Sequence, residues 1–377
     1  MKRVLLLHGS GGMGHIKAAD SLYAAFRDKY PDIGVENINV LDFSPKIFHW
    51  GFDESYNFMS SITPPLWGAL YRYYDVKRKE SQLTHLLSRV TTIESKLVKF
   101  IEEYIPDVII STHPFPMQLI SYTKKHHIIG IPSVNIPTDY GCHRFWINED
   151  VNLYCVATDG VGKCVEKHGV SPDKIVVTGI PIHKKFSGVF KKSELREKYD
   201  IPKSARVLFL IGGQTQHDDM LKIVKNFLNE GEEMYAVVVS GRDKRLQGYF
   251  NDHGMSGHPR LRLFGFVDNI EEFMAISDLI FSKAGGLTVS ECMAMRLPMI
   301  IRKVIPGQEE HNMRFLVGRG SAIHIKRVKN IASGAAEILR DARRLEEMKK
   351  ACDSIRKPDA AYSIAERVYE QFKLSGN

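Results

Sequence analysis

After an apolar run at positions 4–7 the chain reads "HGSGGMGH", which places Gly9, Gly11 and Gly14 in a G-x-G-x-x-G spacing directly ahead of His15. In dinucleotide-binding folds such glycines let a pyrophosphate approach the N-terminus of a helix, so an oxidoreductase is one reading. That fingerprint also expects an acidic residue about 20 positions on, closing the second strand. Asp42 comes late and Glu36 precedes the apolar part of "VENINVLDF", so neither fits comfortably. The Walker pattern fails, because His15 and Ile16 stand where Lys and Ser/Thr are required. His15 opens a helix bearing Ala18 and Ala19. A helix N-terminus disfavours added positive charge, so a neutral imidazole there is suited to accept a proton. Capping the helix, or a hydrogen bond within a cleft, is the alternative role.

A second stretch, "FSKAGGLTVSE", follows Lys283 with Gly285 and Gly286, then Leu287, Thr288 and Glu291. Adjacent glycines permit close approach to the backbone, and the amides of the next helix can hold phosphate oxygens. Glu291, over one turn into that helix, could accept from the two hydroxyls of a ribose. Thr288 and Glu291 also match a capping box, which needs no ligand. Further on, "IPGQEEHN" supplies Gln308, Glu309 and Asn312. In a helix Gln308 and Asn312 share a face and offer amides to sugar hydroxyls. In "PTDYGCHRFW", Asp139 could orient or assist His15, or cap a turn, and His143, Arg144 and Trp146 share its loop. No Asp-x-Asp holds a divalent ion on a diphosphate, and the histidines, His126 and His127 included, lack ligand spacing, so no metal is expected.

These residues need a scaffold. Short apolar runs recur at 3–7, 107–111, 132–136, 153–157 and 174–178, with helical spacing between them, as at 92–104, where Ile93, Leu97, Phe100, Ile101 and Tyr104 make one face. Strands alternating with helices predict a mainly parallel α/β sheet. The rhythm loosens in the basic, proline-bounded segment 179–204 and restarts at 206–213, 234–241, 261–266, 278–286 and 297–302. Each half opens with a strand ending in glycines, which predicts two similar domains facing across a cleft. At 377 residues, two domains are also the prior from length alone. The expected boundaries are 1–185, 186–358 and a C-terminal helix, 359–377, packing back on the first domain.

The net charge of +8 favours anionic partners without choosing among them. Five cysteines with no Cys-x-x-Cys argue against a disulfide framework or a zinc ribbon and suit a reducing cytosol. No apolar run approaches the roughly 20 residues of a spanning helix. Ten of the 37 aromatic residues fall between Phe43 and Tyr74, among them Trp50, Trp67 and Tyr71, and Lys77, Arg78 and Lys79 follow directly. Aromatics beside cations suit a lipid headgroup boundary, so peripheral contact with an anionic membrane is expected; packing of a helical insertion is the alternative.

Taken in order, "RVLLLHGSGGMGH", "PTDYGCHRFWINEDVNLYCVATDGV", "VTGIPI", "GFVDNIEEFMAISDLIFSKAGGLTVSE" and "PGQEEHNMRF" resemble the processive diacylglycerol glucosyltransferases of Gram-positive bacteria. They are also similar to the plant monogalactosyldiacylglycerol synthases, which belong with the lipid II-forming N-acetylglucosaminyltransferase among inverting GT-B enzymes. The resemblance covers most of the chain. It implies two Rossmann-like domains, a UDP-sugar held mainly by the second and a lipid acceptor entering through the first. It puts Gly285 and Gly286 at the diphosphate and Glu291 on the ribose. Gln308 and Glu309 fall near the sugar and the backbone at Phe266 and Val267 beside uracil; the expected donor site also takes in Gly14, Gly213, Lys283, Leu287, Thr288 and Asn312. His15 falls at the reaction centre, with Asp139 the expected assistant. Two departures are Ala284, where the family commonly has proline, and a shifted first glycine cluster.

The implied reaction moves a hexose, glucose favoured, from a UDP-sugar to diacylglycerol or a glycolipid, with no cofactor or metal and no nucleic-acid partner. The expected place is the inner face of the cell membrane. Other readings are a transferase with a soluble or non-glycerolipid acceptor, a UDP-sugar epimerase, the dinucleotide oxidoreductase, and a catalytically silent sensor.

Overall fold

The computed structural model describes residues 1–9, 12–44, 93–212 and 215–374. Gly213 and the aromatic and basic segment with Trp50, Trp67, Tyr71, Lys77, Arg78 and Lys79 lie outside the described residues.

Among the described residues two six-stranded sheets form, and every pairing in them is parallel. The first contains β1 (Arg3–His8), β2 (Gly34–Asn39), β3 (Val108–Ser111), β4 (Ser133–Asn135), β5 (Leu153–Val156) and β6 (Ile175–Val177), in the order β2-β1-β3-β4-β5-β6. The second contains β7 (Arg206–Ile211), β8 (Met234–Val239), β9 (Leu261–Phe264), β10 (Leu279–Phe281), β11 (Met299–Ile301) and β12 (Ala322–His324), in the order β12-β11-β10-β7-β8-β9. The second order is that of the doubly wound dinucleotide-binding fold. In both sheets the winding reverses beside the first strand, between β1 and β3 and between β7 and β10. Loops leaving the carboxyl ends of those strands part there and open a crevice.

The predicted strands are present because helices cover both faces of each central strand, so such strands read as unbroken apolar runs. Val4, Leu5, Leu6 and Leu7 of β1 and Val207, Leu208, Phe209 and Leu210 of β7 are all buried. Two strands lie outside those runs. In β2, "GVENIN", only Val35 is buried, and β12 buries only Ala322. Both are edge strands, whose outer faces reach solvent and need no continuous apolar run. The helix Ile93–Tyr104 buries Ile93, Leu97 and Ile101, while Phe100 and Tyr104 stack on its flank, centroids 5.8 Å apart.

The last helix, Ala360–Gln371, crosses back to the first sheet. Ala361, Ile364, Ala365 and Val368 join the same core as Val4, Leu6, Leu22 and Phe26. Tyr369 stacks on Tyr30 at 4.0 Å, and the Tyr362 hydroxyl donates to Asp28 at 2.6 Å. The chain thus ties both ends into one half. In the second half, the buried Arg196 guanidinium donates to the carbonyls of Ile276 and Ala205 and to Asp278. The Asp278 carboxylate also accepts from the Val207 amide at 2.9 Å. This network sets the starts of β7 and β10, the strands that flank the second crevice.

Candidate active site

His15 is the third residue of the helix Met13–Lys29, which begins beyond Gly12. The loop after β3 brings Thr112 beside it. His15 Nδ1 lies 2.8 Å from the Thr112 carbonyl oxygen, and the Thr112 hydroxyl donates back to the His15 carbonyl at 2.9 Å. A carbonyl only accepts, so Nδ1 carries the proton and Nε2 keeps a lone pair. The Thr138 hydroxyl, from the loop after β4, reaches Nδ1 at 3.0 Å. His113 meets the imidazole edge to face, centroids 4.5 Å apart. Burial lowers the pKa of His15 to about 4, and His113 and His8 are lowered for the same reason. All three rings are neutral near pH 7. His15 therefore has the tautomer and charge state of a base.

Asp139 does not orient this histidine, as the sequence had suggested it could. Its Oδ1 accepts from Asn312 Nδ2 at 3.1 Å, and burial raises its pKa to about 6. Thr112 and Thr138 hold His15 instead. They escaped sequence reading because they end two different strands and meet only through the parallel register of β1, β3 and β4.

On the facing side, β10 leads through Lys283 and Ala284 to Gly285, the N-cap of the helix Gly286–Ala294. No side chain caps this helix and Thr288 lies inside its first turn, so the capping box is not formed. Glu291 is buried, and burial raises its pKa to about 7 against the opposing charges of Lys17 and Lys185. Among the described residues none donates a hydrogen bond to its carboxylate. Gly285 has room for a side chain, its nearest neighbour being Lys283 Cε at 3.7 Å from a built Cβ. Gly286 has none, because a Cβ there would collide with the Thr138 carbonyl oxygen. The close approach that this glycine permits is thus made by the first half's own backbone.

The two helix N-termini face each other, with a Cβ built at Gly14 standing 3.9 Å from Leu287 Cβ. Positive φ at Gly307 turns the chain into the helix Gln308–Arg319. Asn312 in that helix is fully buried and committed. It accepts from the Tyr140 amide at 2.7 Å and donates to Asp139 at 3.1 Å and to the Ala284 carbonyl at 2.9 Å. In this conformation Asn312 clasps the two halves, and its amide meets protein groups where the sequence had offered it to sugar hydroxyls. Tyr140 adds a 2.9 Å hydrogen bond to Ser290 and stacks on Phe315 at 4.9 Å. Glu309 is also engaged, accepting from the Ile305 amide at 3.0 Å and pairing with Lys283 at 3.1 Å. Gln308 opens its helix at the cleft, partly exposed. Phe266, beyond β9, is 62% exposed with the Arg242 guanidinium 5.6 Å above its ring, while Val267 packs on the core.

The dinucleotide reading loses its support at β2. That strand ends at Asn39, whose side-chain oxygen accepts from the Leu41 amide at 3.1 Å, so no carboxylate stands where a ribose would be held. Gly9 makes room for His113, whose Nδ1 would lie 3.2 Å from a Cβ there.

Residues 15–182 match the family model of monogalactosyldiacylglycerol synthase, and residues 207–368 match that of the glycosyltransferase family 28 C-terminal domain. The chain is 30% identical to a processive diacylglycerol beta-glucosyltransferase of Bacillus pumilus, over 100% of this chain and 97% of the relative. Among solved structures, MurG of Acinetobacter baumannii superposes with a TM-score of 0.62 at 13% identity, covering 98% of this chain and all of that one. The UDP-GlcNAc 2-epimerase of Neisseria meningitidis, bound to UDP-GlcNAc, gives a TM-score of 0.62 at 15% identity with the same coverage. Likeness at these identities is likeness of fold, and it does not favour an epimerase.

Proposed function

Since the chain belongs to the family of the processive diacylglycerol β-glucosyltransferases, we propose that it transfers a hexose, glucose favoured, from a UDP-sugar to the hydroxyl of diacylglycerol or a glycosyldiacylglycerol. The fold is of the GT-B type, two α/β halves with facing crevices. The observation that carries the reading is His15: neutral, fixed through Nδ1, and set where one half's crevice meets the N-terminus of the other half's Gly286 helix.

An acceptor hydroxyl attacking the anomeric carbon must lose its proton, and His15 Nε2 takes it. Asp139, nearby on the Thr138 loop with a raised pKa, is the second candidate for that proton. The leaving diphosphate gains negative charge. It is met by the free amides of the Gly286 helix, by the positive end of that helix and by Lys283 once it parts from Glu309. Glu291 accepts the ribose hydroxyls, and the backbone at Phe266 and Val267 borders the uracil. No cofactor or metal takes part in the transfer, and no nucleic acid is a partner.

Among the described residues no helix is long and apolar enough to cross a membrane. A lipid acceptor then requires a peripheral dock. The aromatics around Trp50, Trp67 and Tyr71 with Lys77, Arg78 and Lys79 suit the anionic inner face of the cell membrane. Incubation with labelled UDP-glucose, with and without diacylglycerol, tests the reading. Label entering lipid only when acceptor is present supports it; sugar isomerised without acceptor, or reduction of NAD(P), overturns it.

A further inference from the structure

The loop that carries Thr138, Asp139 and Tyr140 continues to Cys142, which meets the helix Asp159–Lys167 at Cys164 and its C-cap, His168. One ligand atom from each of the three residues lies within 4.8 Å of the others. His168 Nδ1 is 3.9 Å from Cys142 Sγ and 3.8 Å from Cys164 Sγ. A tetrahedral Zn(II), with bonds of about 2.3 Å to sulfur and about 2.0–2.1 Å to nitrogen, holds such donors roughly 3.5–3.8 Å apart. The two sulfur–nitrogen separations are within a few tenths of an ångström of that spacing, and the two sulfurs lie no more than 4.8 Å apart. Local structure contributes to this, since Cys164 and His168 are one helical turn apart on a single face. All three residues are half-buried, open enough for an ion to enter.

We propose that Cys142, Cys164 and His168 form a site for a thiophilic divalent cation, Zn(II) first, with the fourth position taken by water. Two thiolates and an imidazole select such an ion over Mg(II) or Ca(II). Binding releases the two thiol protons. The imidazole stays neutral: Nε2 takes up a proton as Nδ1 gives up the one that in the metal-free form donates to the Cys164 carbonyl at 2.8 Å, and the ring turns so that the Nδ1 lone pair leaves that carbonyl for the ion. The site takes no part in sugar transfer. It braces the loop whose Thr138 holds His15 and whose Tyr140 meets Asn312.

The test uses the full chain, reduced and stripped with a chelator, then titrated with Co(II) and afterwards Zn(II). One equivalent of Co(II) should give thiolate charge-transfer absorption and intense tetrahedral ligand-field bands. Zn(II) should displace it without further proton release, whereas Zn(II) added directly to the stripped chain should release two protons in weak buffer. Cys142→Ser and Cys164→Ser should each remove the charge-transfer pattern of the pair. Each should also weaken Zn(II) by at least the roughly 10–100-fold that an outer-shell change produces, with circular dichroism confirming the fold. His168→Ala should shift the ligand-field bands. A folded wild-type chain that gives no thiolate band, or a pattern that survives both serine variants, overturns the site.

Discussion

Asn312 accepts a hydrogen bond from the Tyr140 backbone amide at 2.7 Å, across the line where the two α/β halves meet. The same side chain donates to Asp139 and to the Ala284 carbonyl. Replacing it by alanine leaves three buried polar groups without their partner, and each such group costs about 1–3 kcal/mol unless water reaches it. Asn312→Ala should therefore lose at least about 2 kcal/mol in urea denaturation, whereas Tyr140→Phe, which loses only the bond to Ser290, should lose about 0.5–1.5 kcal/mol. Equal losses would show that Asn312 is not the clasp.

Gly285 and Gly286 are adjacent in sequence and differ in space. Gly285→Ala has room, while Gly286→Ala drives a methyl group into the Thr138 carbonyl. Gly285→Ala should keep the wild-type stability and scattering profile, since its methyl group meets no backbone. Gly286→Ala should remain folded but lose most of its turnover, because the halves can no longer close. Small-angle scattering should show it more extended, and an unchanged profile with full activity would contradict the contact.

His15→Ala should lower kcat by about 10²–10⁴-fold, the range for a lost general base, with UDP affinity by calorimetry nearly intact. The buried imidazole titrates near 4, below its ordinary 6.5. In the folded protein the base thus stays available at acid pH, and the acid limb of kcat at saturating donor should not fall at 6.5. The sign for stability is fixed as well. The unfolded chain takes up this proton first, so stability from this group is lost as pH falls from 6.5 towards 4.

Glu291 runs the other way. Its folded pKa of about 7 lies above the ordinary 4.5, so the folded state binds the proton more tightly, and stability from this group is lost as pH rises from 4.5 through 7. In the proposed ribose role of Glu291, the hydroxyls donate to the carboxylate, so binding would expel the proton. Affinity for UDP-glucose should rise with pH up to about 7, by up to about tenfold per unit. Calorimetry in buffers of different ionisation enthalpy should detect proton release, and Glu291→Gln should abolish both effects. A pH-dependence that persists in Glu291→Gln belongs to another group.

Neutralising Lys77, Arg78 and Lys79 together should weaken binding to anionic vesicles, since each basic residue near such a surface contributes about 1 kcal/mol. Wild-type binding should decline with added salt. A folded triple variant that binds vesicles as before moves the dock elsewhere.

The sequence alone determined the architecture and marked the candidate positions for chemistry. Parallel strands covered on both faces must be apolar along their length, so β1, β3, β7 and β10 were legible as runs. His15 and the glycines at 285 and 286 stood out because glycine-rich strand-to-helix turns are punctuated locally. Edge strands β2 and β12 were not legible, since half-solvated strands share the polarity of loops. What only the tertiary structure decided is who meets whom. His15 is held by Thr112 and Thr138 through the register of three strands, and Asp139 faces Asn312 because the halves close on each other. Gly286 is needed against Thr138, from a loop in the other half, and Cys142 comes beside Cys164 and His168 only when the loop after β4 folds over the helix following β5. Propensity and patterning act over a turn or a strand, whereas these contacts join residues whose separation along the chain carries no local signal, and packing alone selects them.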